Sequence, residues 1–394
     1  MPAEAHVNKI AKFISQAIPS REIARALERT GKQGRRVRDL PSEAVMQLAI
    51  MLGILRDAAS RQVLAALRPP GAKLPGKSAI SMARYRVGPR PLMALFAAIA
   101  KPWARALSLP SAFYRGMRRM ALDATKMDVP DTRENEKVFG RPGASRGRAG
   151  FPQAQVIALL EVGTHLIVDL LVRPCHRNEV KAGLRLIERG VKAGMLVMWD
   201  RGYYGFETMR AIKKREAQWL GRAKSNIILN PVQTLPDGSY LAEVFASDKD
   251  RRHKRGAIRV RVIEYRVGRK GELIRLVTSL LDPELDPAEK LAALYHERWE
   301  LELVFDEVKT HQLGRPNGQK VGIRAQKPAG VVQEIYALAL AHRVVRTMMA
   351  AAAIGEKLDP DRLSFKNALV IVRRHLPSLA AAKPRRLSPL CPVS

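Results

Sequence analysis

From about residue 118 to residue 223 the chain abandons helical periodicity for short apolar runs separated by turns, and this stretch limits the architectures open to it. Three strand-like runs come in succession, Arg118 to Val129, Gln153 to Val162 and His165 to Val172. A helical stretch (Glu179 to Val191), a strand (Met195 to Trp199), a helix (Phe206 to Arg215) and a strand (Gln218 to Ala223) follow. Strands in succession, then strand and helix in alternation, predict a mixed α/β sheet. Met195-Leu-Val-Met-Trp199 is apolar throughout, as a strand buried on both faces requires, and it runs straight into Asp200-Arg-Gly.

The flanks read differently. Glu4 to about Leu67 has helical periodicity, with a helix start at Pro41-Ser-Glu. Proline and glycine cluster from Pro69 to Pro91, and a further helix is expected around Leu92 to Ala106. Between Ile227 and Leu281 lie alternating segments, notably Ile258 to Val267 and Glu272 to Leu280, interrupted by the basic run Lys249 to Arg255, which predicts a β-rich insertion. From Pro287 to Leu376 the chain is mostly helical. With 394 residues, 46% of them hydrophobic, it can fill a sizeable core and accessory units. The apolar stretch from Ala337 to Ala353 is broken by His342, Arg343 and Arg346, so a helix of the protein interior is expected rather than a membrane span. Two cysteines, Cys175 and Cys391, are too few for a disulfide framework, and Cys175-His176 has no second pair with metal-ligand spacing. With an N-terminus that lacks a basic start and apolar block, this leads to the expectation of a reducing cytoplasm.

Charge narrows the partner. Sixty-nine Lys and Arg against 37 Asp and Glu give a formal net charge of +32, spread along the chain, which points to a polyanion and first of all to nucleic acid.

Three carboxylates stand out. Asp200 follows a buried strand at the C-terminal end, where open α/β sheets bind ligands; a cap for the next turn is the alternative. Asp123 lies inside the strand-like Met120-Ala-Leu-Asp-Ala-Thr, where burial penalises it unless a cation or a partner arginine offsets the cost. Asp286-Pro-Ala-Glu289 starts a helix expected to run to Gly314. At 100° per residue Leu291, Leu294, Tyr295, Arg298, Glu302, Phe305 and Lys309 share one stripe, while Glu300 and Glu307 point away and read as solvated acids. Asp306, slightly off the stripe, is the rival to Glu302. Three separated carboxylates at a sheet edge suit hard, oxygen-preferring cations and in-line phosphoryl transfer.

At these residues the chain resembles the DDE transposases of bacterial insertion sequences, specifically the insertion-sequence-four family. Tyr295, Arg298, Glu302 and Lys309 have the spacing of its Tyr-Arg-Glu-Lys signature; Asp200-Arg-Gly-Tyr-Tyr204 and Leu122-Asp-Ala-Thr resemble its two aspartate motifs. Asp131-Thr through Phe139-Gly, Gly150-Phe-Pro-Gln, Leu40-Pro-Ser-Glu and Leu55-Arg-Asp extend the likeness over most of the chain. The resemblance implies a ribonuclease-H-like mixed sheet core with a β-rich insertion, flanked by helical N- and C-terminal regions. The corresponding partition is 1–110 for a helical DNA-binding domain, 111–226 and 285–325 for the catalytic core, 227–284 for the insertion and 326–394 for a helical C-terminal region. It also implies that Asp123, Asp200 and Glu302 are catalytic and bind Mg2+, or Mn2+ in its place, as two ions. The activity implied is cleavage at terminal inverted repeats and strand transfer into target DNA by a homodimer assembled on double-stranded DNA. Arg298 and Lys309 are the expected phosphate contacts near the scissile bond, with a structural salt bridge as the alternative, and Tyr295 is expected to pack with its hydroxyl contacting the DNA backbone; Arg201, Arg222 and Lys224 either line the DNA channel or are solvated charges. Two other readings share these acids: a metal-dependent nuclease that cuts without joining, and an inactive DNA-binding regulator.

Overall fold

The computed structural model describes residues 17–34, 36, 38–68, 71–144, 147–267, 271–314 and 322–381. The first turns of the expected N-terminal helical run, Cys391 and the side chain of Glu300 lie outside the described residues.

Helices α1 (Ser20–Arg29), α2 (Ser42–Ile54), α3 (Ser60–Ala66), α4 (Lys77–Val87) and α5 (Arg90–Ile99) open the chain. The last stops at Ile99, short of the expected Ala106. The sheet region then runs β1 (Phe113–Tyr114), β2 (Met117–Asp128), α6 (Arg133–Phe139), β3 (Gly143–Ala144), β4 (Gly147–Arg148), β5 (Gln153–Glu161) and β6 (Leu166–Pro174). It continues through α7 (Glu179–Gly190), β7 (Met195–Trp199), α8 (Phe206–Lys213) and β8 (Gln218–Arg222). The Asn178 side chain accepts from Lys181 N at 3.2 Å and so starts α7, which buries Ala182, Leu186 and Ile187 against the sheet. All five residues of β7 are buried, as its apolar run predicts.

Strand order in this part is β6-β5-β2-β7-β8, with β5 antiparallel to β2, and β2, β7 and β8 mutually parallel. This is the ribonuclease-H-like arrangement. The insertion between the second aspartate and the glutamate contributes β9 (Gln233–Thr234), β10 (Tyr240–Val244), α9 (Asp248–Arg252), β11 (Ile258–Arg266) and β12 (Leu273–Thr278). Its strands form no layer of their own: β12 pairs antiparallel with β8, so the order continues β12-β11-β10-β9 in one sheet. The basic run expected to interrupt the strands folds largely into α9.

The chain returns to helix at α10 (Ala288–His296), a three-ten turn (Glu297–Trp299), α11 (Glu300–Asp306) and a π-helical turn (Glu307–Gln312). The long α12 (Pro328–Gly355) and α13 (Phe365–Ala381) follow. One face of the sheet, through Ala121, Ala158, Leu196 and Met198, packs on α10, α11, α12 and the N-terminal helices. The other, through Met120, Leu122, Val197 and Trp199, packs on α7 and α8. Among the described residues α12 is long and apolar enough by length and composition to cross a membrane, but 72% of its apolar window is buried inside the protein.

Candidate active site

Alternation along β2 and β7 aims the site. Ala121 and, on β7, Leu196 and Met198 face α10 and α11, so Asp123 and Asp200, each two residues further along, take the same face. Register does the rest. Leu122 pairs with Trp199 across the parallel β2 and β7, so Asp123 and Asp200 leave neighbouring strands at the same level. Asp200 Oδ1 accepts from Gly202 N at 2.8 Å, capping the three-ten turn Arg201–Tyr203 and leaving Oδ2 free of that role. Asp123 Oδ1 accepts from Ala124 N at 2.8 Å. Burial pushes the Asp123 carboxyl up to about 6, an effect that the Ala124 amide and the Arg298 charge oppose and the charges of Asp200 and Glu179 reinforce.

Glu302, on α11, lines a cleft of 490 Å³ whose floor is Asp123, Ala124 and Thr125; Asp128, Asp306 and Lys309 also line it. The expected stripe therefore delivers Glu302 and Lys309 to the sheet, and Asp306 reaches the same cleft. Lys309 Nζ donates to Thr125 Oγ1 at 3.2 Å. Tyr295 is buried and donates to Trp199 O, the residue before Asp200, at 3.2 Å, and the Arg298 guanidinium lies 5.5 Å from its ring centre. The other basic residues lie further out. Arg222 pairs with Glu272 at 2.7 Å, Arg201 lies 3.9 Å from the same carboxylate, and Lys224 is exposed. Among the described residues no three His, Cys, Asp or Glu side chains converge into a ready-made metal cage; the carboxylates stand around an open cleft.

Two readings of the sequence need correction. The single helix expected from Pro287 to Gly314 is broken by the three-ten and π-helical turns. Glu307, expected to be solvated, is 5% exposed. It accepts from His342 Nε2 at 2.8 Å and Arg346 Nε at 2.9 Å, both on α12. The reason is that α12 packs against this segment as well as on the sheet and brings His342 and Arg346 to Glu307, so the segment is buried on more than the one side that a single amphipathic stripe allows. Tyr203, in the turn after Asp200, is fully buried.

The sequence missed Glu179. It is the first residue of α7, and its carboxylate lies beside the buried Tyr203 hydroxyl and accepts from Gln155 Nε2 at 3.2 Å. An acid in the first turn of a helix carries no signal that separates it from an ordinary helix-terminal acid.

The family model described as Transposase DDE domain matches residues 114–343, which span the sheet, both aspartates and Glu302. The chain belongs to the DDE transposases. A second model, Insertion element 4 transposase N-terminal, matches residues 8–97 and places it in the insertion-sequence-four family. The transposase is 28% identical over 378 residues to Transposase InsG for insertion sequence element IS4 of Escherichia coli (strain K12), covering 93% of this chain and 83% of that protein. It is 23% identical over 253 residues to Putative transposase InsZ of the same organism, covering 64% of this chain and 83% of that one. Its fold is similar to that of piggyBac transposase in a synaptic complex with hairpin DNA, at a TM-score of 0.52 and 10% identity, over 96% of this chain and 83% of that chain. The protein is thus a DNA transposase, an enzyme of the polynucleotidyl-transferase type, in a family that uses divalent metal ions.

Proposed function

We propose that this transposase cleaves DNA at the ends of its element and joins those ends to target DNA, with Asp123, Asp200 and Glu302 holding two magnesium ions, or manganese in their place. The observation that carries this reading is the shared level of Asp123 and Asp200 on adjacent parallel strands, with Glu302 on the wall of the cleft that Asp123 floors. The residues suit such ions: the donors are all carboxylate oxygens, and the charge of Asp123 is disfavoured by burial and by Asp200, a cost that a cation offsets. Divalent cations bound there would activate the attacking oxygen, water or a DNA 3′-hydroxyl, and stabilise the leaving one in an in-line displacement.

The protein's own groups do the rest. Lys309 on the cleft wall and Arg298 beside Asp123 bind the phosphates flanking the scissile bond. Tyr295, tied to Trp199 O, fixes the turn that aims Arg298 and Glu302 and packs beside the DNA backbone. Arg201 and Lys224 line the approach, with Arg222 behind them. In the N-terminal region, 1–110, Lys32, Arg36, Arg38 and Arg86 line a separate cavity of 810 Å³, which supports a role in holding the terminal repeats. Residues 111–226 and 285–325 act as the catalytic core, 227–284 as an insertion extending its sheet and 326–394 as the C-terminal helical part. Two copies pair the ends on the DNA, in the bacterial cytoplasm.

Cleavage and joining of a duplex bearing the element end, in magnesium, test the proposal. Asp123→Asn, Asp200→Asn and Glu302→Gln are each expected to bring both steps to background while retaining DNA binding, since removing a negative charge cannot weaken attraction to phosphate. A Glu302→Gln enzyme at full rate, with Asp306→Asn inactive, would transfer the third role to Asp306. Cutting without any joined product would overturn the transfer step.

A further inference from the structure

We propose that the exposed face of α4 reads base edges in the major groove of the terminal repeats, so that Ser78, Ser81 and Met82 set which sequence the transposase recognises. This rests on the reading of the N-terminal region as the part that holds the repeats, and it names the helix and the side chains that tell one sequence from another.

The two sides of α4 differ in kind. At 100° per residue Ile80, Ala83 and Val87 share one side, and Ser78, Ser81, Met82 and Tyr85 fall in a sector of about 100° opposite them. The first three are buried against α2 and α3. The other four are exposed, Met82 at 71%. The long α12 holds the helix in place, since Gln333 Nε2 donates to Arg84 O at 3.0 Å and to Gly88 O at 2.9 Å. The outward face of an ordinary surface helix carries charged residues, and this one has none along its centre. Charge gathers at its edges instead. On one side Arg86 leads to the basic cavity of Lys32, Arg36 and Arg38, which Glu43 also lines. Lys77 is exposed on the other side, and Lys327 Nζ lies 5.7 Å from the Tyr85 ring centre. No acidic residue occurs between Asp57 and Asp123, a stretch that contains α3, α4 and α5.

A neutral stripe between cationic edges matches a groove between phosphate ridges. The major groove is about 12 Å wide, and a helix with its side chains is about 10–12 Å across. Ser78, Ala79 and Ser81 are short enough to let the helix backbone approach base edges, where the serine hydroxyls can donate or accept. The Met82 side chain offers apolar contact to thymine methyl groups. Tyr85 and the flanking cations face the phosphates, which fix the register of the helix in the groove. The competing occupant of the face is a second copy of this chain. A symmetric dimer through α4 would bring the same cationic edges together, a like-charge juxtaposition that disfavours it.

The test is binding of the full chain to an end-bearing duplex and to a scrambled duplex of the same length and composition, read by fluorescence anisotropy. The combined variant Ser78→Ala, Ser81→Ala, Met82→Ala changes only exposed side chains to a strong helix former, so circular dichroism and thermal midpoint should match the parent protein. It is expected to bind the end-bearing duplex at least tenfold more weakly and the scrambled duplex within twofold of the parent. Methylation of guanine N7, which projects into the major groove, should block parent binding at positions of the end to which the variant is indifferent. Arg36→Ala with Arg38→Ala should instead weaken both duplexes alike. A combined variant that keeps the parent's preference for the end-bearing duplex within twofold would overturn base reading by α4. If the double arginine variant were still weakened, the N-terminal region would keep its role in holding the repeats; unchanged affinity in both variants would overturn that reading as well. A parent protein that is dimeric without DNA, and made monomeric by the combined variant with no change in DNA preference, would assign the face to a second copy and overturn the proposal. None of these outcomes depends on cleavage.

Discussion

Replacing Glu307 by alanine should destabilise the protein strongly, although the residue lies outside the cleft. The carboxylate is 5% exposed and the Arg346 it binds is 3% exposed. Arg346 also contacts His165, whose Nε2 lies 3.0 Å from Asp361. Removing the carboxylate leaves a buried guanidinium without its counter-charge, a loss of about 3–5 kcal/mol for a broken buried pair. Set against a total stability of about 5–15 kcal/mol, this is a large fraction. Glu307→Gln keeps an acceptor but not the charge and should cost about 1.5–3 kcal/mol. Urea denaturation followed by far-ultraviolet circular dichroism should show the midpoint for Glu307→Ala falling by on the order of 1 M or more. Asp306→Ala, one residue earlier and exposed, should shift stability by less than about 0.5 kcal/mol. The sign of the pH dependence follows from the same cluster. Burial works to raise the Glu307 pKa, but the hydrogen bonds from His165 and His342 and the Arg346 charge overcome it and hold the carboxyl well below its usual 4.5. Burial lowers His342 below 6.5. A depressed folded-state pKa gives stability that is complete above the unfolded value and lost as pH falls, so the parent protein should weaken from about pH 6.5 downward and again below 4.5. Glu307→Ala should lack the lower part of that loss. A midpoint indistinguishable from the parent's would refute the buried network and return Glu307 to solvent.

Gly221→Ala should also destabilise, because its added Cβ would sit 2.1 Å from Trp199 Cε2 and the fully buried indole has nowhere to go; overpacking of this kind costs about 1–3 kcal/mol, read as a lower thermal midpoint with altered tryptophan emission. An unchanged midpoint would show that β7 and β8 give way. DNA affinity should fall steeply with salt, and Lys309→Ala should lower the log-log slope by about 1 with stability unchanged. A slope equal to the parent's would remove Lys309 from the phosphate contacts.

Much of the sheet was legible because its strands announce themselves locally. Met195 to Trp199 is bounded by Gly194 and Asp200, and the strand occupies just those five residues. The helix carrying Glu302 was legible only in part. Its apolar stripe brings Glu302 and Lys309 to the cleft, but a uniform 100° step cannot show three-ten and π-helical turns, nor that α12 supplies His342 and Arg346 from more than 30 residues away. The insertion was read as β-rich, whereas its continuity with β8 depends on the Leu276 to Arg222 pairing, a contact between distant segments that composition does not encode. Glu179 was invisible for a related reason, since only the folded chain brings the start of α7 to the end of β7.

A metal-preference switch tests the central claim most directly. Cysteine at position 123, 200 or 302 replaces a hard oxygen by a softer thiolate, which manganese accepts better than magnesium. Asp123→Cys, Asp200→Cys and Glu302→Cys should be inactive in magnesium and regain cleavage of an end-bearing duplex in manganese, with DNA binding unchanged throughout. Full activity of any of them in magnesium would contradict direct contact between that residue and the ion. If none of the three recovered in manganese while all still bound DNA, the three-carboxylate account would be contradicted as a whole.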